Sequence, residues 1–447
     1  MSGEERTGDP AVDFRYLLSQ VWGEPRDRRL TSEEMAARRD ERVRSIVRFA
    51  YDRVPWYRRA MRERGLGPDD FRSATDLALL PVVEHEDLSS EPDAFLPLGC
   101  RRENLLELRT SGSTMMPRRV YHDAQGIVAG SAVKLRERAV CDRIVGETRY
   151  RSATLSLEGN PTRVRERLRL IAPAVGKLIS ESRRYSVFED SARVVESLRE
   201  WRPQHLSGYG SALGRLFRYL KESGEPMPLP RVVTFSSDAL APLERCIIEE
   251  DFGVPVLGVY SSTEVFAMAF ECEMGEGYHV HEDVSHVRIA DPLGRSVDPG
   301  VPGSIIVSNL VNQGTVLLNY RQGDLGEAIE GPCACGRPLP RIRLLAGRDM
   351  LFIERVEGHP VHQFKLFRAL QDVGLYRWQV IQTALQRFTV RVISLPGQER
   401  SRLETRIRES MTCLIGGGLE ITIEYPSELE RTPTGKVLAF FRRPSLS

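Results

Sequence analysis

Along residues 32–54, SEEMAARRDERVRSIVRFAYDRV, apolar positions recur every three to four residues. Val43, Ile46, Val47 and Ala50 form one stripe, Met35 lies two turns earlier on the same side, and arginines and acids fill the opposite face. The spacing predicts a helix within a helical stretch over 12–64. It starts at Thr31 or Ser32, with Glu33 and Glu34 following, and is broken by Pro55. After LPVVEHEDL (80–88) and a loop rich in proline and glycine, residues 124–250 alternate helical runs with short apolar strands. SARVVESLREWRPQHLSGYGSALGRLFRYLKESG reads as helix, turn, helix. RVVTFSSDAL reads as a buried strand running into a loop, and APLERCIIEEDFG as an amphipathic helix stopped by Gly253. VPVLGVYSSTE is a second buried strand ending in hydroxyls. Strand, helix, strand at this spacing is the parallel unit of an α/β sheet, and the loops after such strands lie where these sheets bind ligands.

From 278 to 345 the pattern changes to short strands with turn signals, as in DPLGRSVDPGVPGSIIVSNL, which predicts an antiparallel β subdomain. A smaller α+β tail follows LAGRDM: a helix around 362–373, strands in RWQVIQTALQRFTVRVI, a helix near 399–412 and a strand in LEITIEYP. The expected organisation is therefore a large N-terminal domain over 1–347 and a small C-terminal domain over 348–447. No repeat or low-complexity tract interrupts either.

Composition narrows the class. The chain has 447 residues, 41% hydrophobic and 28% charged, with a net charge of +1. That balance gives no support to a nucleic-acid or membrane-surface partner. No run of about 18 apolar residues occurs, and the polar start MSGEERTGDPAVDF lacks a signal-peptide core, so the expectation is a cytoplasmic protein. Seven scattered cysteines do not make a disulfide scaffold. Nearly all basic residues are arginine; lysine occurs only at 134, 177, 221, 365 and 436, so a lysine in a chemically suggestive place carries weight.

Four short stretches carry candidate chemistry. In TSGSTMMPRR, Thr110, Ser111, Gly112, Ser113 and Thr114 can offer backbone amides and hydroxyls to phosphate oxygens, or form an ordinary polar turn. In VYSSTE, Thr263 and Glu264 end a buried strand; they suit a phosphate oxygen and a magnesium ion, or a helix N-cap. In NYRQGDL, Asp324 could accept from two ribose hydroxyls, or make an Asx turn around Gly323. In RTPTGKV, Lys436 in a loop offers a compact charge to an anionic transition state, or is simply exposed. Separately, Cys272, His279, Cys333 and Cys335 have the composition of a closed tetrahedral zinc site, with His281 as the rival imidazole and unrelated free thiols as the alternative. Cys100, Cys141, Cys246 and Cys413 read as structural.

The order of these stretches is more specific than any one of them. A Ser/Thr/Gly loop, Y-x-x-T-E, Y-R-x-G-D-L, G-R-D and P-T-G-K follow one another as in the adenylate-forming superfamily of acyl- and aryl-CoA synthetases, which the chain resembles over about 45–442. YDRVPWYRR, LPVVEHEDL, the stretch LERCIIEEDFGVPVLGVYSSTEVFAMAFECEMGEGYHVHEDV and CACGRPLPRIRLLAGRD resemble its phenylacetate–CoA ligase branch, which includes capsular-polysaccharide-biosynthesis proteins. The resemblance implies an α/β fold: a large adenylating domain of mixed β-sheets flanked by helices, and a small mobile α+β C-terminal domain. It implies ATP- and magnesium-dependent activation of a carboxylic acid as its adenylate, then transfer to CoA. An amine, hydroxyl or carrier thiol is the alternative acceptor, and a non-catalytic nucleotide-binding descendant the third reading. No nucleic acid or membrane partner is implied, and a homodimer is compatible with it.

By the same resemblance, Thr110–Thr114 match the phosphate loop, Thr263 the α-phosphate contact and Glu264 the magnesium ligand. Ser237, Asp238 and Ala239 match the adenine-lining segment, with Tyr260 bordering the ring. Asp324 matches the ribose-binding aspartate, Arg348 its helper, Lys436 the catalytic lysine and Asp349 the hinge. Tyr209, Ser236, Phe266 and Met268 are the candidate walls of the acid pocket. The chain departs from the family at Met115 and Met116, where a glycine and then a lysine usually stand, with Arg118 and Arg119 behind Pro117.

Overall fold

The computed structural model describes residues 31–109, 119–157, 182–348, 377–393 and 398–431, with single residues and short runs inside 163–170, 352–375 and 437–442. Thr110–Thr114, Met115, Met116, Arg118, Asp349 and Lys436 lie outside the described residues, as does the side chain of Arg348.

The first described helix runs Ser32–Arg53 from a reciprocal cap: Thr31 accepts from the Glu34 amide, and the Glu34 carboxylate accepts from the Thr31 amide. Its predicted stripe is the buried one. Pro55 cannot continue it and instead opens the helix Pro55–Glu63. The second helix anchors the pair. The buried Tyr57 hydroxyl accepts from the Leu318 amide at 2.7 Å and faces the Val316 and Leu318 carbonyls.

A hairpin of β1 (Leu106–Arg109) and β2 (Arg119–His122) precedes the main sheet. That sheet has eleven strands. Its parallel half is β4 (Ser182–Ser186), β3 (Ser152–Ser156), β5 (His205–Tyr209), β6 (Val232–Ser236) and β7 (Val256–Ser262). Beyond β7 it is antiparallel, in the order β8 (Phe266–Glu271), β9 (Tyr278–Val280), β13 (Arg341–Arg348), β12 (Tyr320–Ile329), β11 (Gly303–Asn309) and β10 (Ser285–Ala290). The protein is thus of mixed α/β class, as expected.

Three local expectations are corrected. The turn between the helices Ser191–Trp201 and Gly210–Ser223 is in fact β5, a five-residue strand too short to show its alternation beside two strong helical patterns. The strands after 278 are antiparallel as expected but continue the main sheet instead of forming one of their own. β7 pairs with β6 on one edge and β8 on the other, so both halves form one sheet. Thr263 does not cap a helix: β7 turns straight back into β8, all six of whose residues are buried.

In the tail, Arg377–Ala384 and Arg387–Ile393 form an antiparallel pair, flanked by Phe440–Arg442 and Glu420–Glu424. The helix Arg400–Ile415 buries Leu403, Ile407, Met411 and Ile415 against them, around Phe388 and Phe440. This apolar cluster is distinct from those of the main sheet.

Candidate active site

After β6, at the start of β8 and just before β12 the backbone adopts conformations that ordinary side chains avoid. Among the described residues, four non-glycines have positive φ, and three of them lie in the predicted motif segments: Ser237 at 72°, Phe266 at 67° and Asn319 at 55°. Each is held by neighbours. The Asp238 amide bonds back to the Ser236 carbonyl at 2.8 Å across Ser237, a three-residue turn. The Asp238 carboxylate is pinned to the start of the helix Gly210–Ser223 by the Ser211 amide at 3.1 Å and hydroxyl at 2.6 Å. Asn319 donates to the Leu80 carbonyl at 2.8 Å and accepts from Arg288 at 2.7 and 2.9 Å. The strain is therefore built in by the surrounding packing.

Antiparallel pairing brings two of the motifs together. The Tyr260 hydroxyl on β7 donates to Asp324 Oδ2 on β12 at 2.8 Å, and the Ser262 hydroxyl donates to Gln322 at 3.4 Å. Arg348 stands opposite Asp324 in the β12–β13 register. Glu264 is buried, 6% exposed, and accepts a long hydrogen bond of 3.5 Å from the Tyr320 hydroxyl, which lies 2.6 Å from His85 Nδ1. Among the described residues this long bond is the one given to the Glu264 side chain, and a cation would supply further partners to a buried carboxylate. Thr263 is half-buried, and its carbonyl accepts from His122 Nε2 at 2.8 Å. Burial pushes the His122 ring down to about 4, with the Thr263 carbonyl opposing.

The candidate pocket walls divide. Tyr209 and Ser236 are half-buried at the ends of adjacent strands, and burial together with the Asp238 charge raises the Tyr209 phenol. The Phe266 ring lies 4.1 Å from that of His122 and packs so close to Gly130 that a Cβ there would sit 3.0 Å from its own Cβ. Met268 does not join them, being fully buried in the core among the N-terminal helices. Ala239 is exposed in the loop after β6. His85, His122 and Tyr320 are the groups that sequence reading passed over. His85 and Tyr320 sit inside LPVVEHEDL and NYRQGDL, and His122 lies just beyond TSGSTMMPRR, but nothing in their spacing marked them.

On the far side of β8 a second cluster assembles. Cys272 follows β8, His279 lies on β9, which pairs with both β8 and β13, and Cys333 and Cys335 sit in the turn before β13. Their four ligand atoms lie within 4.8 Å of one another, with Sγ to Sγ 3.8 Å for Cys272 and Cys333 and Sγ to Nε2 3.4 Å for Cys335 and His279. Zinc bonds of ≈ 2.3 Å to sulfur and ≈ 2.0–2.1 Å to nitrogen span tetrahedral edges of about that length. The Met274 and Cys335 amides donate to Cys272 and Cys333 sulfurs at 3.4 and 3.5 Å. Burial pushes the Cys272 thiol up to about 12. Burial also works against the Cys335 thiolate, but the Arg337 backbone and guanidinium outweigh it and lower that thiol. The rival His281 points elsewhere, stacked on Phe270 at 5.0 Å with its nitrogens 3.4 Å from Glu137 and Arg136.

No family model matches the chain. It is similar to a phenylacetate-coenzyme A ligase of Thermus thermophilus, 25% identical over 91% of this chain and 96% of that one. A phenylacetate-coenzyme A ligase of Pseudomonas putida is 26% identical over 75% and 77%. Protein CapK of Staphylococcus aureus is 22% identical over 54% and 53%. Among solved structures, 2-hydroxyisobutyryl-CoA ligase with a bound acyl-adenylate superposes with a TM-score of 0.71 at 20% identity, covering 99% of this chain and 95% of that one. ATP-bound MatB of Rhodopseudomonas palustris gives 0.52 at 18% identity, covering 76% and 68%. Among the described residues, no helix is long and apolar enough to cross a membrane.

Proposed function

We propose, from the premise that the chain is a relative of the phenylacetate–coenzyme A ligases and shares the fold of adenylate-forming ligases, that it is an acid–CoA ligase. It joins a carboxylic acid to ATP as an acyl-adenylate with release of pyrophosphate, then passes the acyl group to the CoA thiol with release of AMP. The observation that carries this reading is the convergence at one sheet edge of Tyr260, Asp324 and the buried Glu264, in a chain aligned nearly end to end with such a ligase.

The first step sets a carboxylate against a triphosphate, so the site must supply positive charge and fixed geometry. Asp324, oriented by the Tyr260 hydroxyl, takes the ribose hydroxyls, with Arg348 opposite it on β13. The strained 237–239 segment and Tyr260 border the adenine. Thr263 meets the α-phosphate, and His122, bonded to its carbonyl, holds that turn in place. Glu264 would hold magnesium, which would supply the positive charge that phosphate oxygens need. Thr110–Thr114 cradle the β- and γ-phosphates, with Arg118 and Arg119 in place of the family's lysine charge beyond Met115 and Met116. Lys436 bridges the carboxylate and α-phosphate oxygens. Cys272, His279, Cys333 and Cys335 would hold a structural zinc ion, with the Arg337 guanidinium favouring the Cys335 thiolate. The small C-terminal domain is the unit beyond residue 347.

Pyrophosphate release on adding ATP, magnesium and a panel of acids tests the first step, and dependence of acyl product on CoA tests the second. Lys436→Ala is expected to lower adenylate formation by at least about a hundredfold with ATP binding retained. An unchanged rate would remove the lysine from the mechanism.

A further inference from the structure

The parallel half of the sheet has one ordinary face and one unusual face. Ala153, Leu155, Leu206, Val233 and Phe235 pack on the helices Ser191–Trp201 and Gly210–Ser223, an apolar layer throughout. Parallel sheets are covered on both sides and normally carry apolar residues on both. Here the opposite face presents Ser152 and Thr154 on β3, His205 and Ser207 on β5, and Thr234 on β6. These groups line a cavity of about 220 Å³, closed from the other side by the helix Lys134–Val145 through residues such as Arg138 and Cys141.

The lining mixes hydroxyls and an imidazole with apolar surface, and its arginine is already engaged. Arg138 donates to the Thr148 carbonyl at 2.7 Å, lies 3.4 Å from Asp142 and stacks over Tyr150 at 5.0 Å, and Glu137, from the same helix, lies 3.4 Å from His281 Nε2. The hydroxyls pair with one another or with an imidazole: Thr154 with Ser207 at 2.8 Å, and Thr234 with His205 at 2.8 Å. The Ser207 hydroxyl also donates to the Ala153 carbonyl at 3.3 Å, so its donor is used; with two acceptor positions on each hydroxyl, what is left over is acceptor capacity. An apolar occupant would strand that capacity, whereas a hydroxylated one would use it.

The cavity also lies in line with the candidate active site. Two residues further along the same face, Ser207 is succeeded by Tyr209, Thr234 by Ser236 and Val259 by Ser261, a step of about 6.6 Å toward the carboxyl edge. An acid whose carboxylate meets the α-phosphate beside Thr263 would extend down this face into the cavity.

Resting on the acid–CoA ligase reading above, we propose that the acid activated by this chain carries a neutral hydroxyl-bearing tail, which binds among Thr154, Ser207, His205 and Thr234. Matched probes test it: 6-hydroxyhexanoate against hexanoate, and 4-hydroxyphenylacetate against phenylacetate, compared by kcat/KM for pyrophosphate release with the full-length protein. The expected result is a preference of at least about tenfold for the hydroxylated member of at least one pair, since a site built to bond a hydroxyl rejects the analogue lacking it. Thr234→Val and Ser207→Ala are each expected to shrink that ratio about tenfold by loss of the hydroxy acid. Equal or better use of the unsubstituted acids in both pairs, or a ratio that neither substitution moves, overturns the hydroxylated tail and leaves the ligase reading intact. Absence of pyrophosphate release with every acid overturns both.

Discussion

His122 ties the candidate site to the pH dependence of stability. Its Nε2 bonds the Thr263 carbonyl at 2.8 Å, while Nδ1 is buried without a hydrogen-bond partner among the described residues. The ring is fully buried and must be the neutral Nε2–H tautomer; a proton on Nδ1 would be an uncompensated charge in an apolar setting. Folding accordingly lowers the ring from its ordinary 6.5 to about 4. Between those values the unfolded chain takes up a proton that the folded chain refuses, so this contribution is complete above about pH 6.5 and is lost as pH falls toward 4. A shift of this size is worth about 3 kcal/mol in full and about 2 kcal/mol by pH 5. His122→Gln places an amide donor near the same carbonyl and cannot titrate. Guanidinium unfolding of both proteins at pH 7 and pH 5 should show the wild type losing about 2 kcal/mol more than the variant between the two. Equal losses would mean that this histidine is not held neutral by burial.

Three further outcomes are expected. Metal analysis of purified protein should find about one zinc per chain, and Cys333→Ala should lose most of it; a metal-free, equally stable wild type would dismiss the cluster as a zinc site. Arg136, 3% exposed, forks onto Asp283 at 2.7 and 3.0 Å, while Arg42 stands 3.9 Å away, so Arg136→Met should cost about 3 kcal/mol by taking from a buried carboxylate its two close hydrogen bonds. Asp283→Asn added to it should restore much of that loss, and a single variant as stable as wild type would contradict the pairing. Tyr260→Phe should weaken ATP binding by about tenfold through loss of the 2.8 Å bond that orients Asp324, read by calorimetric titration.

The sequence by itself determined the local elements whose periodicity is strong and the chemistry whose residues are rare. The stripe from Met35 to Ala50, the Thr31 cap and the helix opened by Pro55 follow from spacing and backbone restriction that act within one or two turns. The four zinc-type ligands were readable because three cysteines and a histidine near C-x-C have few other uses, and the order of the adenylating motifs survives without structure. Tertiary structure decided whatever depends on contacts between distant segments. β5 was hidden between two helices because five residues give little alternation, and only pairing with β3 and β6 makes it a strand. The single eleven-stranded sheet exists because both edges of β7 find partners. His279 rather than His281 joins the cysteines because β9 ends at Val280 and the chain then turns toward Arg136 and Glu137. The polar face above the cavity shows the same limit: serine and threonine in SATLS, LSGYG and VVTFS read as half-buried strands, and only the packed sheet lines their hydroxyls up along one wall, because side-chain direction is fixed by register and not by composition.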